Sequence, residues 1–102
     1  MYTNRPLQII LIDDDPQMRE MLNDFFTGKY AHSHVKTFAT GEEALNTIVI
    51  EPNLIVLDYH LDSSDAMAMN GLQVLKKLKE KYPLVPVIFL SGQEKAEVAA
   101  NT

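Results

Sequence analysis

The chain has 102 residues, 46% hydrophobic and 23% charged, which is ordinary globular composition and enough for one domain around a single core. A formal net charge of −5 disfavours bulk attraction to nucleic acid or to an anionic membrane. The absence of cysteine excludes disulfides, thiol catalysis and a thiolate metal site, and three histidines without cysteine partners argue against structural zinc. No apolar run approaches the roughly 18 residues that span a bilayer, and the start of the chain, Met1 to Pro6, lacks a signal-peptide layout. The expectation is a soluble cytoplasmic domain.

In chain order, Leu7–Ile12 is a short apolar run ending in Asp13-Asp14-Asp15 and reads as a buried parallel strand. Asp15 before Pro16 predicts a helix N-cap with proline at the first helical position. Met18, Met21, Leu22, Phe25 and Phe26 then share one helix face, and Gly28 is expected to close that helix. His34–Phe38 is a weaker strand, with Val35 and Phe38 as its main apolar residues. Thr40 is the expected cap of a second helix, with Ala44, Leu45 and Ile48 inward and Glu42 and Glu43 near its positive end. Pro52-Asn53 ends that unit, and Leu54–Leu57 is a third strand, ending in Asp58. Leu72, Leu75 and Leu78, with Val74 and Tyr82, predict a third helix stopped by Pro83, with lysines on its other face. Val87–Leu90 is a fourth strand ending in Ser91-Gly92, and Glu94 to Asn101 begins a fourth helix.

The βαβαβαβα alternation predicts an α/β fold, a doubly wound parallel sheet with helices on both faces. If the runs are neighbours in one sheet, three carboxylates and the Ser91 hydroxyl converge at its carboxyl edge, where open α/β sheets bind ligands. Converging carboxylates repel unless a cation neutralises them, and an oxygen-only cluster suits Mg²⁺. A carboxylate is also a competent covalent nucleophile toward a phosphoryl group, a reaction that asks the protein mainly for positioning and charge neutralisation.

Asp13-Asp14 after the first strand, Asp58 after the third, Asn70-Gly71 opening the third helix, and Pro86-Val87-Ile88-Phe89-Leu90-Ser91-Gly92 together resemble the receiver domain of bacterial two-component response regulators. The resemblance covers essentially the whole chain, residues 1–102. It implies a flavodoxin-like sheet of order 2-1-3-4-(5) and Mg²⁺-dependent transfer of a phosphoryl group from a histidine kinase or phosphotransfer protein. It implies Asp58 as phosphoacceptor, Asp14 as direct Mg²⁺ ligand, Asp13 acting through water, and the His60 backbone carbonyl completing the protein ligands. Ser91 takes the switch-hydroxyl position and Gly92 leaves room for the phosphodonor. Such a domain is a signalling receiver rather than an enzyme with a separate substrate, catalysing its own phosphoryl transfer and slow autodephosphorylation. Its partners are the kinase and an output domain beyond Thr102, with no direct contact to nucleic acid or membrane.

Two departures stand out. Gly71 follows Asp58 by thirteen positions, longer than is usual in the family, so Asp62 to Met69 reads as an insertion beside the site, and such lengthening costs little. The expected fifth strand, its lysine and the fifth helix are missing from this chain, which predicts an open edge at Val87–Leu90 and a tendency to dimerise there. Two other functions compete. Asp13 and Asp15 fit the Asp-x-Asp signature of haloacid-dehalogenase-like phosphatases, although Pro16 departs from it. A pseudo-receiver that binds partners without phosphorylation is the third reading, with Asp14, Asp58 and Ser91 arguing against it.

Overall fold

The computed structural model describes residues 5–61, 69–92, 97 and 100. Within them the elements run β1 (Leu7–Ile12), α1 (Pro16–Lys29), β2 (Ser33–Phe38), α2 (Gly41–Thr47), β3 (Leu54–Asp58), α3 (Gly71–Lys81) and β4 (Val87–Leu90). All three strand pairings are parallel, and the sheet order is β2-β1-β3-β4. This is the flavodoxin-like order expected for strands one to four. Asp62 to Ala68 of the predicted insertion Asp62 to Met69, and most of the predicted fourth helix, Glu94 to Asn101, lie outside the described residues.

The central strands β1 and β3 are apolar apart from Gln8 and the terminal Asp58 because both faces of the sheet are covered. Side chains alternate between faces. Ile9, Leu11 and Val56 meet Met18, Leu22 and Phe26 of α1, while Ile10, Ile12, Ile55 and Leu57 meet Ala44 of α2 and Val74 and Leu78 of α3. Burying each such side chain stabilises by roughly 1.5–3 kcal/mol relative to exposure. Asn53 extends the β1–β3 pairing past the strand ends: its amide donates to the Gln8 carbonyl at 2.8 Å, and its Oδ1 accepts from the Gln8 amide at 2.7 Å.

The helix starts follow the expected caps. Asp15 accepts from the Gln17 amide at 3.0 Å, with Pro16 opening α1, and Thr40 Oγ1 accepts from the Glu43 amide at 3.1 Å. At α3, Asn70 and Gln73 form a reciprocal capping box, each side chain accepting from the other's amide at 2.9 Å.

Two expectations fail. Gly28 does not close α1: the helix runs to Lys29 and leaves through Tyr30, whose backbone is extended (φ −121°, ψ 90°). The Tyr30 ring stacks on Phe26 and its amide donates to the Phe26 carbonyl at 2.9 Å, so this exit needs no left-handed residue. Leu72 is not a core residue of α3. It is 59% exposed, because Val74, Leu78 and Tyr82 form the buried stripe and Leu72 projects roughly a third of a turn away from its middle.

Candidate functional site

The site forms where β1 and β3 end side by side. Ile12 pairs with Leu57, so continuing the register sets Asp13 beside Asp58. Asp13 ends its strand through an amide bond to the Phe38 carbonyl at 3.0 Å. Its Oδ1 accepts from the Asp15 amide at 2.9 Å, a turn that fixes the carboxylate. Asp58 is held in the same way: its Oδ1 accepts from the His60 amide at 2.9 Å. The Tyr59 amide meets the Leu90 carbonyl at 2.8 Å, which ties this turn to β4.

Asp13 and Asp58 are buried, with 1% and 3% exposure, and Asp14 is half-buried. Ligand oxygens of Asp13, Asp14 and Asp58 lie within 4.8 Å of one another. Buried carboxylates this close repel strongly unless compensated. Three oxygen donors, with no nitrogen or sulfur in the cluster, match a hard cation that keeps some of its waters, so the donor set fits Mg²⁺.

Asp15 does not join the cluster. Its carboxylate turns away to cap α1, which leaves the Asp13/Asp15 pair of the phosphatase reading without a shared site. His60 is exposed in the turn after β3. Ser91 follows Leu90, the register partner of Asp58, and is half-buried. Gly92 is exposed, and a Cβ added there would meet nothing within 4 Å. An open cleft of about 300 Å³ adjoins Asp58, lined by Tyr59, His60, Leu61, Asn70, Gly71 and Leu72.

Sequence reasoning missed three supports of this site. Arg19 Nη1 donates to the Asp13 carbonyl at 2.8 Å, bracing the β1–α1 turn from one helical turn away. Gly71 packs so closely on the turn after β3 that a Cβ would lie 2.8 Å from the carbonyl oxygens of both Asp58 and Tyr59. Glu42 reaches the Met69 amide at 2.9 Å. Only Arg19 had a local signal, its spacing after Asp15. The other two depend on contacts between distant segments.

These features define a parallel α/β domain with a cluster of three carboxylates at its carboxyl edge whose donor set fits a hard cation. The family model of the response regulator receiver domain matches residues 9–102. The chain is 36% identical over 88 residues to the protein-glutamate methylesterase/protein-glutamine glutaminase of Bacillus subtilis, covering 85% of this chain and 23% of that protein. The receiver domain of NtrX from Brucella abortus superposes with a TM-score of 0.72 at 26% identity, covering 91% of this chain and 74% of that one. The response regulator TrrA from Thermotoga maritima, solved in complex with Mg²⁺-BeF, gives a TM-score of 0.70 at 26% identity, covering 83% and 69%. The chain belongs to the response regulator receiver domain family, whose members act in phosphorylation-controlled signalling. It spans about a fifth to a third of the length of the first curated relatives it matches. Among the described residues no helix is long and apolar enough to cross a membrane.

Proposed function

We propose that this domain accepts a phosphoryl group on Asp58 from the phosphohistidine of a cytoplasmic sensor kinase or phosphotransfer protein, and passes the signal to an output domain or partner. The observation that carries the reading is the convergence of Asp13, Asp14 and Asp58 within 4.8 Å at adjacent strand ends. An Asp58 carboxylate oxygen attacks phosphorus, the phosphorus–nitrogen bond of the donor breaks, and the electron pair leaves with the imidazole nitrogen. Asp13, Asp14 and Asp58, with the His60 backbone carbonyl, would hold Mg²⁺. When bound, the ion neutralises the carboxylates and the phosphoryl oxygens. The amide bond from His60 to Asp58 Oδ1 orients the nucleophile. The Ser91 hydroxyl donates to a phosphoryl oxygen, and Gly92 keeps the approach open. Slow hydrolysis of the same acyl phosphate resets the domain, and both steps are catalysed by the domain on itself.

Intact-mass analysis after treatment with acetyl phosphate and Mg²⁺ tests this. The wild type gains one phosphoryl group and Asp58→Asn gains none. Equal labelling of the two would refute the assignment of Asp58. No labelling of either would leave a phosphorylation-independent binding module.

A further inference from the structure

We propose that Glu42, on α2, is a positioning residue that clamps the start of α3 against the phosphoacceptor turn and thereby holds the Mg²⁺ site in shape. The effect on the metal rests on the function proposed above, whereas the clamp itself does not. Glu42 Oε2 accepts from the Met69 amide at 2.9 Å, across 27 residues of sequence. Its other oxygen, Oε1, is buried with no hydrogen-bond partner among the described residues. Such a placement costs free energy, and the bond from Met69 is the contact that offsets it.

Three consecutive residues are pinned from three directions. The Met69 amide is held by Glu42 while its side chain packs on the core. Asn70 is locked in the capping box with Gln73, and Gly71 lies against the carbonyls of Asp58 and Tyr59. On the other side of residues 62–68, Leu61 is buried and its amide meets the Asp58 carbonyl at 3.2 Å. Thirteen positions from Asp58 to Gly71 specify no geometry by themselves, so the closing position of the connection must be fixed from outside it. Glu42 supplies that fixed point. Releasing Met69 frees Gly71 to move, and with it the backbone of Asp58, Tyr59 and His60.

The test is amide NMR on the metal-free chain followed by Mg²⁺ titration, with Glu42→Ala, Glu42→Gln and Glu43→Ala. Glu43 sits in the same first turn, so its removal controls for the lost charge. Glu42→Ala should move the Met69 amide proton upfield, speed its exchange, and weaken Mg²⁺ binding about tenfold, as outer-sphere changes do. Glu42→Gln swaps a charged acceptor for a neutral one, so the Met69 proton should move part of the way while exchange protection and Mg²⁺ affinity stay near wild type. Glu43→Ala should leave Met69 unmoved. An unmoved Met69 proton in Glu42→Ala, or equal Mg²⁺ affinities in Glu42→Ala and Glu43→Ala, overturns the proposal. Should Glu42→Ala fail to fold, an unmoved Met69 proton in Glu42→Gln overturns it equally. A wild type that shows no Mg²⁺ response refutes the proposed function instead, and the metal-free Met69 signal still decides the clamp.

Discussion

The two strand-to-helix junctions that make the site are built in opposite ways. At the β1–α1 junction most of the supports are local: Asp13 accepts from the amide two residues on, Asp15 caps the helix that follows, and Arg19 reaches back one turn to the Asp13 carbonyl, with one bond from the Asp13 amide to Phe38 continuing the strand pairing. At the β3–α3 junction Asp58 makes the same local turn with His60, but the helix that follows is placed by remote contacts, from Glu42 to Met69 and from Gly71 to the carbonyls of Asp58 and Tyr59. A short, self-capped connection needs little beyond the strand pairing it continues, whereas a long one must be fixed by packing. The β1–α1 side should therefore tolerate change in its surroundings, and the β3–α3 side should not.

The largest expected effect comes where the two junctions meet in the acidic cluster. Asp14→Ala removes one of three close carboxylates. Repulsion falls, so the metal-free domain should melt at a higher temperature than wild type. Mg²⁺ affinity should drop about 100-fold, removing about 2.3 of the roughly 2.7 kcal/mol by which the ion at 100 times its dissociation constant would stabilise the wild type. Calorimetry with and without Mg²⁺ reads both signs. A variant that melts lower without the ion and keeps its Mg²⁺ response would show that Asp14 is a structural surface residue.

Next comes Gly71→Ala, which probes the crowded junction directly. The new Cβ would sit 2.8 Å from two backbone oxygens, and neither can rotate away as a side chain does. Overpacking of this kind costs about 1–3 kcal/mol. The damage should appear in denaturant melts and as shifted amides at Tyr59 and His60. An unchanged melting midpoint would mean that α3 slides freely, and the contrast between the junctions would collapse.

The division between local and remote contacts also decides what was legible in the sequence. The strands and the caps at Asp15 and Thr40 could be read because each is signalled within a few residues: an apolar run, an Asp before Pro16, a Thr before Gly41; the strand order came only from the family resemblance. The acidic cluster was readable through strand ends, since parallel neighbours in register bring Asp13 and Asp58 together. Glu42 was not, because nothing near it distinguishes it from Glu43, and only the fold brings Met69 within reach. Leu72 misled for a related reason. Its residue type suggests the core, yet it falls off the buried stripe and lines the cleft beside the site.

Cap removal offers a paired comparison of intermediate size. Asp15→Ala and Asn70→Ala each delete an N-cap, worth about 1 kcal/mol. Asn70→Ala takes the acceptor from the Gln73 amide, while the backbone amide of residue 70 can still donate to Gln73 Oε1; Asp15→Ala frees the Gln17 and Met18 amides of a helix already opened by Pro16. The two variants should cost similar amounts in urea melts, and only Asn70→Ala, next to Gly71, should disturb the amides of Tyr59 and His60. If Asp15→Ala disturbs them as strongly, the two junctions are coupled through the metal site rather than built independently.

The smallest effect has the opposite sign and sharpens the comparison most economically. Gly28 lies inside α1, which continues to Lys29. A Cβ there would meet nothing within 4 Å, and no described residue has positive φ. The glycine thus serves neither a left-handed turn nor a close approach. It leaves the unfolded chain with extra freedom that helix formation must remove. Gly28→Ala should stabilise the domain by about 0.5–1 kcal/mol, leaving Mg²⁺ affinity and the site amides unchanged. The same substitution at Gly71 should destabilise, so one chemical change tests both junction-bearing units. Thermal melts of the two single variants and the double variant should add, since α1 and the start of α3 pack on opposite faces of the sheet. A destabilised Gly28→Ala would mean that this stretch of α1 is held in a conformation that alanine resists, and that the β1–α1 unit is less self-sufficient than its local hydrogen bonds suggest.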